Sequence, residues 1–261
     1  MKKKILSLCL VVCLAATAIV GGTLAYFSDT DAQKNTFTTG NVAIDLWEDF
    51  GDNDAQGIEE LIPATGSAQA GTLKNGIEKE VYVENIGSED AYVRVHIAIP
   101  SVLDDAQPNF DASKNVLHFN YDEESVADGK WNWSKSVDGT TGSNWNYYTT
   151  TIDNVAYNVY VVTYETKLAK GEVTADAIHQ VYLDSETTNE DITRIKETLG
   201  ENWYIYVVAE GTQAEGFTDA YDALNTAFGD PSTADGQVTE AEFKAAYENK
   251  TWVDTEAAAN P

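Results

Sequence analysis

The sequence predicts an all-β protein, an antiparallel β-sandwich with a few short helices in insertions and near the C-terminus. Three observations predict it. Aliphatic residues alternate one by one with polar or aromatic ones over several stretches, polar segments rich in Asp, Asn, Gly and Ser separate those stretches, and helical signatures are confined to the last third. Hydrophobic residues make up 43% and aromatic residues 11% of the chain, enough to build a core, so the high charge is not the mark of a disordered polypeptide.

The first element is a leader. Lys2, Lys3 and Lys4 precede an apolar run from Ile5 to Val20, broken only by Ser7 and Thr17 and followed by Gly21-Gly22-Thr23-Leu24-Ala25. A basic start, a short apolar run and small residues before a cut mark an export signal, so residues 1–25 are expected to leave by cleavage between Ala25 and Tyr26. A retained anchor is the alternative, because no charge follows Lys4 until Asp29 and the uncharged stretch is long enough to span a bilayer. The glycine pair and the acidic residues that follow favour cleavage. Cys13 as a lipid-attachment site is a further alternative, but Leu10-Val11-Val12 lacks the small residues expected before such a cysteine.

Cleavage changes the chemistry of what remains. Both cysteines, Cys9 and Cys13, and the single methionine go with the leader, leaving no thiol, disulfide or Cys-ligated metal. The remaining 236 residues carry 13 basic and 43 acidic side chains, a formal charge of −30. Such a surface repels phosphate backbones and anionic lipid, so neither nucleic acid nor, after cleavage, a membrane is an expected partner. Cations and cationic polymers are.

The strands follow in order. Val42, Ile44 and Leu46 alternate with Ala43 and Asp45, and Val81-Tyr82-Val83 marks a short strand between Glu80 and Glu84. The stretch AYVRVHIAIP puts Val93, Val95, Ile97 and Ile99 on one face and Tyr92, Arg94 and His96 on the other. NVAYNVYVVTYETKL opposes Val155, Tyr157, Val159 and Val161 to Ala156, Asn158 and Tyr160. HQVYLDS and NWYIYVVAE add two more strands. One buried and one wet face explain the alternation, which places His96 at the surface. The polar stretches around residues 50–75 and 122–146 read as loops.

Helices come late. NEDITRIKETLG has Asn189 as N-cap and Gly200 as terminator; TDAYDALNTAFG has Thr218 as N-cap, Gly229 past its end, and Tyr221, Leu224 and Phe228 on one face. In TEAEFKAAYENK, Thr239 and Glu242 stand at capping-box spacing. The resulting division is a leader (1–25), an N-terminal segment (26–40), a sandwich (41–217) and a helical extension (218–261).

The stretch AYFSDTDAQKNTFTTGNVAIDL behind a short basic-apolar leader, with VYVENIGSEDAYVRV and WYIYVVAEGTQAEGF further on, resembles the TasA/camelysin family of secreted Gram-positive proteins. The resemblance covers about a third of the chain. It implies a jelly-roll sandwich, export to the extracellular matrix or cell surface, release by a SipW-type signal peptidase, and self-association into biofilm fibres alongside other matrix or cell-wall components. It further implies that the mature N-terminal segment leaves its own body and pairs with the next subunit. Tyr26, Phe27, Thr36, Phe37, Thr38 and Thr39 are suitable strand material for that donation. Packing of Phe27 and Phe37 on their own domain is the alternative.

Catalytic signatures are few. His96, His118 and His179 are far apart in sequence and form no His-Glu-x-x-His helix, and there is neither a Gly-x-Ser-x-Gly elbow nor a phosphate-cradling loop. The expectation is a protein without a catalytic site, although camelysin-like relatives are described as metalloproteases. Between two helical patterns, FGDPSTADGQVTEAEF resembles the second half of a calcium-binding helix-loop-helix, with Asp230, Asp235 and Glu242 as candidate ligands. Pro231 stands where the first Asp ligand belongs, and a Glu242 that merely caps its helix through Thr239 needs no metal. No other cofactor is expected. Trp131, Trp133, Trp145, Tyr147 and Tyr148 form a possible sugar-stacking platform, which makes a monomeric adhesin or carbohydrate-binding module the alternative function; core packing is the competing explanation.

Overall fold

The computed structural model describes residues 28–30, 41–49, 61–66, 72–104, 116–120, 125, 128–133, 147–200 and 203–248. It is an antiparallel two-sheet sandwich. Strands β1 (Ser28–Thr30), β4 (Ala91–Pro100), β6 (Trp131–Asn132), β7 (Tyr147–Ile152), β8 (Val155–Leu168) and β10 (Tyr206–Gln213) form the first sheet, in the order β1-β10-β4-β8-β6 with β7 also paired to β8. Strands β2 (Ile44–Asp49), β3 (Ile77–Asn85), β5 (Leu117–Asn120) and β9 (Ile178–Leu183) form the second, in the order β2-β3-β9-β5. Helices α1 (Asn189–Leu199), α2 (Ala220–Phe228) and α3 (Glu240–Glu248), with a short 3-10 turn at Ala234–Gly236, complete the described elements. None of the described helices is long and apolar enough to cross a membrane.

The two sheets enclose one core. Val93, Val95, Ile97 and Ile99 of β4 meet Val81 and Val83 of β3 and Ile178 and Val181 of β9, all within the same apolar cluster. The face division read from the alternation of β4 is therefore right. What differs is the opposite face: every residue of β4 is buried, and His96 has no exposed surface. The reason is that α2 and α3 lie on this sheet. Leu224 and Ala220 of α2 pack with Tyr92, while Phe243 of α3 and Val238 pack with Tyr157, Val159, Val161, Tyr206 and Val208. The aliphatic face of β8 thus looks toward the helices, and Tyr160, Val162 and Tyr164 fill the space between the sheets. The second sheet keeps the expected single wet face, since inward residues of β3 are buried and alternate ones are not.

Helix boundaries shift by one residue from the sequence reading. Thr188, not Asn189, caps α1, because Thr188 Oγ1 accepts from the Asp191 amide while the Asp191 carboxylate accepts from the Thr188 amide at 2.9 Å. Asp219, not Thr218, caps α2, its carboxylate accepting from the Asp222 amide at 2.9 Å. Gly200 and Gly229 end their helices with φ of 80° and 86°, as read. The region read as a loop over 122–146 contains β6, whose Trp131 is completely buried. Strand β7 joins β8 through Asp153 and Asn154, both at positive φ, the mark of a tight hairpin turn.

Candidate functional site

The N-terminal segment meets the body at β10. Ser28, Asp29 and Thr30 pair antiparallel with Thr212, Gly211 and Glu210, so β1 forms the outer edge of the first sheet among the described residues. Across the sandwich, β2 closes over the same end of β10. A Cβ on Gly211 would lie 2.8 Å from Ile44 Cγ2, closer than ordinary contact, so glycine is what lets the buried Ile44 sit against the strand.

Next to this edge runs a buried polar line. Arg94 Nε donates to Glu210, Arg94 Nη1 donates to Asn225 Oδ1 at 2.9 Å, and Arg94 Nη2 donates to the Gly229 carbonyl at 3.2 Å. The guanidinium also lies 5.9 Å from the Phe228 ring centroid. On the other side of Glu210, His96 Nε2 is 3.2 Å from its carboxylate, and His96 Nδ1 is 3.1 Å from the Tyr148 hydroxyl. That hydroxyl accepts from the Val238 amide at 2.9 Å. With its oxygen taken by the amide, Tyr148 is free to donate its proton to Nδ1, and a neutral His96 then carries hydrogen on Nε2 toward Glu210. The tautomer follows from the network.

The electrostatics agree with this arrangement. Burial holds His96 below its ordinary value, against the pull of Glu210. Burial opposes the charge on Glu210, but His96 and the Arg94 guanidinium outweigh it and hold the acid below the usual carboxylate range. Burial pushes the Tyr148 phenol up. The line ties β4 and β10 to the C-terminal end of α2 and, through Tyr148, to Val238 just ahead of α3. The alternation that puts His96 at the surface hides this line; its readable signal is the apolar face of Tyr221, Leu224 and Phe228, which needs a sheet face to rest on.

The other candidate residues are placed as follows. Ala25, Tyr26, Phe27, Thr36, Phe37, Thr38 and Thr39 lie outside the described residues. Asp230 accepts from the Ser232 amide at 2.8 Å, Asp235 accepts from Thr233 Oγ1 at 2.5 Å, and Glu242 accepts from the Thr239 amide at 2.8 Å. The last of these is the capping box read from the spacing. Thr233 holds Asp235 below the usual carboxylate range. The aromatic platform is overturned where it is described: Trp131, Trp133 and Tyr148 are buried. Trp131 donates to the Ala175 carbonyl at 2.6 Å, and Trp133 stacks on Phe119 with centroids 5.1 Å apart. Trp145 lies outside the described residues.

The histidines have separate surroundings. His118 Nε2 lies 2.8 Å from Asp184 Oδ2, and its ring stacks on Tyr182. His179 Nδ1 lies 3.6 Å from Asp176 Oδ2 and 3.7 Å from Glu80 Oε1. The last three residues form a group whose ligand atoms all lie within 4.8 Å of one another, which neither their sequence separation nor any motif announces.

Fold and edge together define a two-sheet sandwich whose outer strand, among the described residues, comes from the N-terminal segment, Ser28–Thr30. A family model described as camelysin metallo-endopeptidase matches residues 1–76, which supports the resemblance to the TasA/camelysin family over that part of the chain. No curated protein matches the chain. The family description is enzymatic and weighs against the expectation of a protein without a catalytic site. It also implies a metal. Glu80, Asp176 and His179 offer one imidazole nitrogen and two carboxylate oxygens, a donor set that fits a divalent transition ion.

Proposed function

We propose that this protein is a secreted structural subunit of an extracellular matrix or surface fibre, assembling by exchange of its N-terminal segment between copies. The observation that carries the reading is the pairing of Ser28–Thr30 with β10. A strand added to a sheet edge is held by backbone hydrogen bonds, and a neighbour's identical segment satisfies that edge equally well. Head-to-tail exchange of this kind does not close, so it propagates into filaments. Cleavage between Ala25 and Tyr26 frees the segment, and Tyr26, Phe27, Thr36, Phe37, Thr38 and Thr39 supply the side chains that set its register.

Electron microscopy and sedimentation of the chain beginning at Tyr26 test the reading. Filaments from that chain, and none from a folded chain lacking residues 26–39, are the expected result. Filaments that persist in the folded deletion variant refute segment exchange. The enzymatic description of the family favours a second reading, a metalloprotease. Digestion of casein that stops with a chelator would establish it.

A further inference from the structure

We propose that Glu80, Asp176 and His179 bind a divalent transition-metal ion of the zinc class, fastening β3 to the start of β9. The strand register builds the site. Glu78 pairs with Gln180, but the next partners are Val81 and Ile178, so three steps along β3 answer two along β9. The extra residue is a β-bulge, a device that re-aims side chains. Lys79, in phase with Val81 and Val83, points inward, 3% exposed and paired with Glu48, while Glu80 on the outer face lies opposite the register shift, within reach of His179.

Asp176 and His179 flank Ala177 and Ile178. The Ala177 amide donates to the Val81 carbonyl at 2.7 Å, which locks this short stretch against β3 beside Glu80. Glu80 and His179 stand on strands, and Asp176 lies in the short connection before β9 that the Thr174 and Ala177 amides tie to the Val83 and Val81 carbonyls of β3.

The separations suit coordination. His179 Nδ1 stands 3.6 Å and 3.7 Å from the two carboxylate oxygens, beyond the 3.5 Å limit of a hydrogen bond. Ligand atoms about 2.0 Å from a tetrahedral zinc lie about 3.3 Å apart, so a small closing of the side chains supplies three of its four ligands. The imidazole selects zinc-class ions over calcium and magnesium, which prefer oxygen alone. Exposure of 53% at His179 and 28% at both acids leaves an outward side for water or a further ligand. The inference rests on these three residues, which all lie beyond the 76 residues of the family match.

Isothermal titration of the metal-free exported chain with zinc chloride, paired with thermal melting, tests it. One zinc per chain, a raised melting temperature and no matching response to calcium are expected. Glu80→Gln and Asp176→Asn should each weaken binding at least tenfold, and His179→Ala should abolish it. Cobalt, used as a coloured substitute, should give a visible absorption band that is lost in His179→Ala. His179 is exposed, so its variant should melt like the metal-free parent, which shows that it is folded. Zinc binding unchanged in His179→Ala means scattered carboxylates hold the ion and overturns the site, as does an absence of zinc binding at micromolar concentrations.

Discussion

His96 shows how a residue-level reading fails when a second layer is hidden. Alternation along β4 placed it correctly opposite Val95 and Ile97, but only the helices decide whether that face is wet. Because it is buried, its proton balance becomes a stability term. Its pKa is lowered in the fold, so the unfolded chain binds the extra proton first, and stability falls as pH drops below about 6.5, the ordinary histidine value. Glu210 is also lowered, so its contribution is present above the ordinary carboxylate range near 4.3 and is lost as pH falls further. Melting measured from pH 8 to pH 3 should show both declines, and His96→Gln should remove the first. Glu210→Gln at neutral pH should cost about 3 kcal/mol in denaturant unfolding, because it leaves Arg94 buried without its carboxylate. Lys79 follows the same logic at the other end of the scale. Burial lowers it to about 7, so stability should rise as pH climbs from 7 toward the ordinary lysine value.

At the level of elements, the long strands and all three described helices were legible, because their apolar periods run for several turns or several pairs. The short strands were not. LHFN, a two-residue WN and YYTTTI offer too few alternations to separate a strand from a loop, and only pairing with β8 or β9 makes them strands. The Asp153-Asn154 turn was a readable hairpin signal. The late loop can be decided by its caps. Thr239→Ala should cost about 1 kcal/mol by removing the box with Glu242, and calcium chelation should leave the melting temperature of the parent unchanged once ionic strength is matched. A calcium-dependent melting temperature that Asp235→Ala abolishes would instead give the metal reading of Asp230, Asp235 and Glu242 its support. Where β2 crosses β10, Gly211→Val should cost about 1–3 kcal/mol by crowding Ile44, and Ile44→Ala in the same chain should recover part of that loss.

At the scale of the whole molecule, the sandwich was readable because alternation reports a buried face directly. The partner of the N-terminal segment was not, because a strand's sequence says that it will pair and not with which edge. The register Ser28↔Thr212 turns this into a covalent test. Directly opposed residues of an antiparallel pair have Cα atoms about 4.5–5.5 Å apart, within disulfide range. The chain after residue 25 has no cysteine of its own, so introduced thiols have no competitors. A Ser28→Cys chain mixed with a Thr212→Cys chain can form a disulfide only between molecules. If segments are exchanged, assembling the mixture under mild oxidation should give covalent heterodimers on a non-reducing gel, and neither variant alone should give them in quantity. A single chain carrying both substitutions should give a covalent ladder when assembled before oxidation, and a closed monomer when oxidised while dilute and unassembled. Filaments in which the double variant yields only closed monomers would show that each segment stays on its own β10, and that the fibre is held by some other surface.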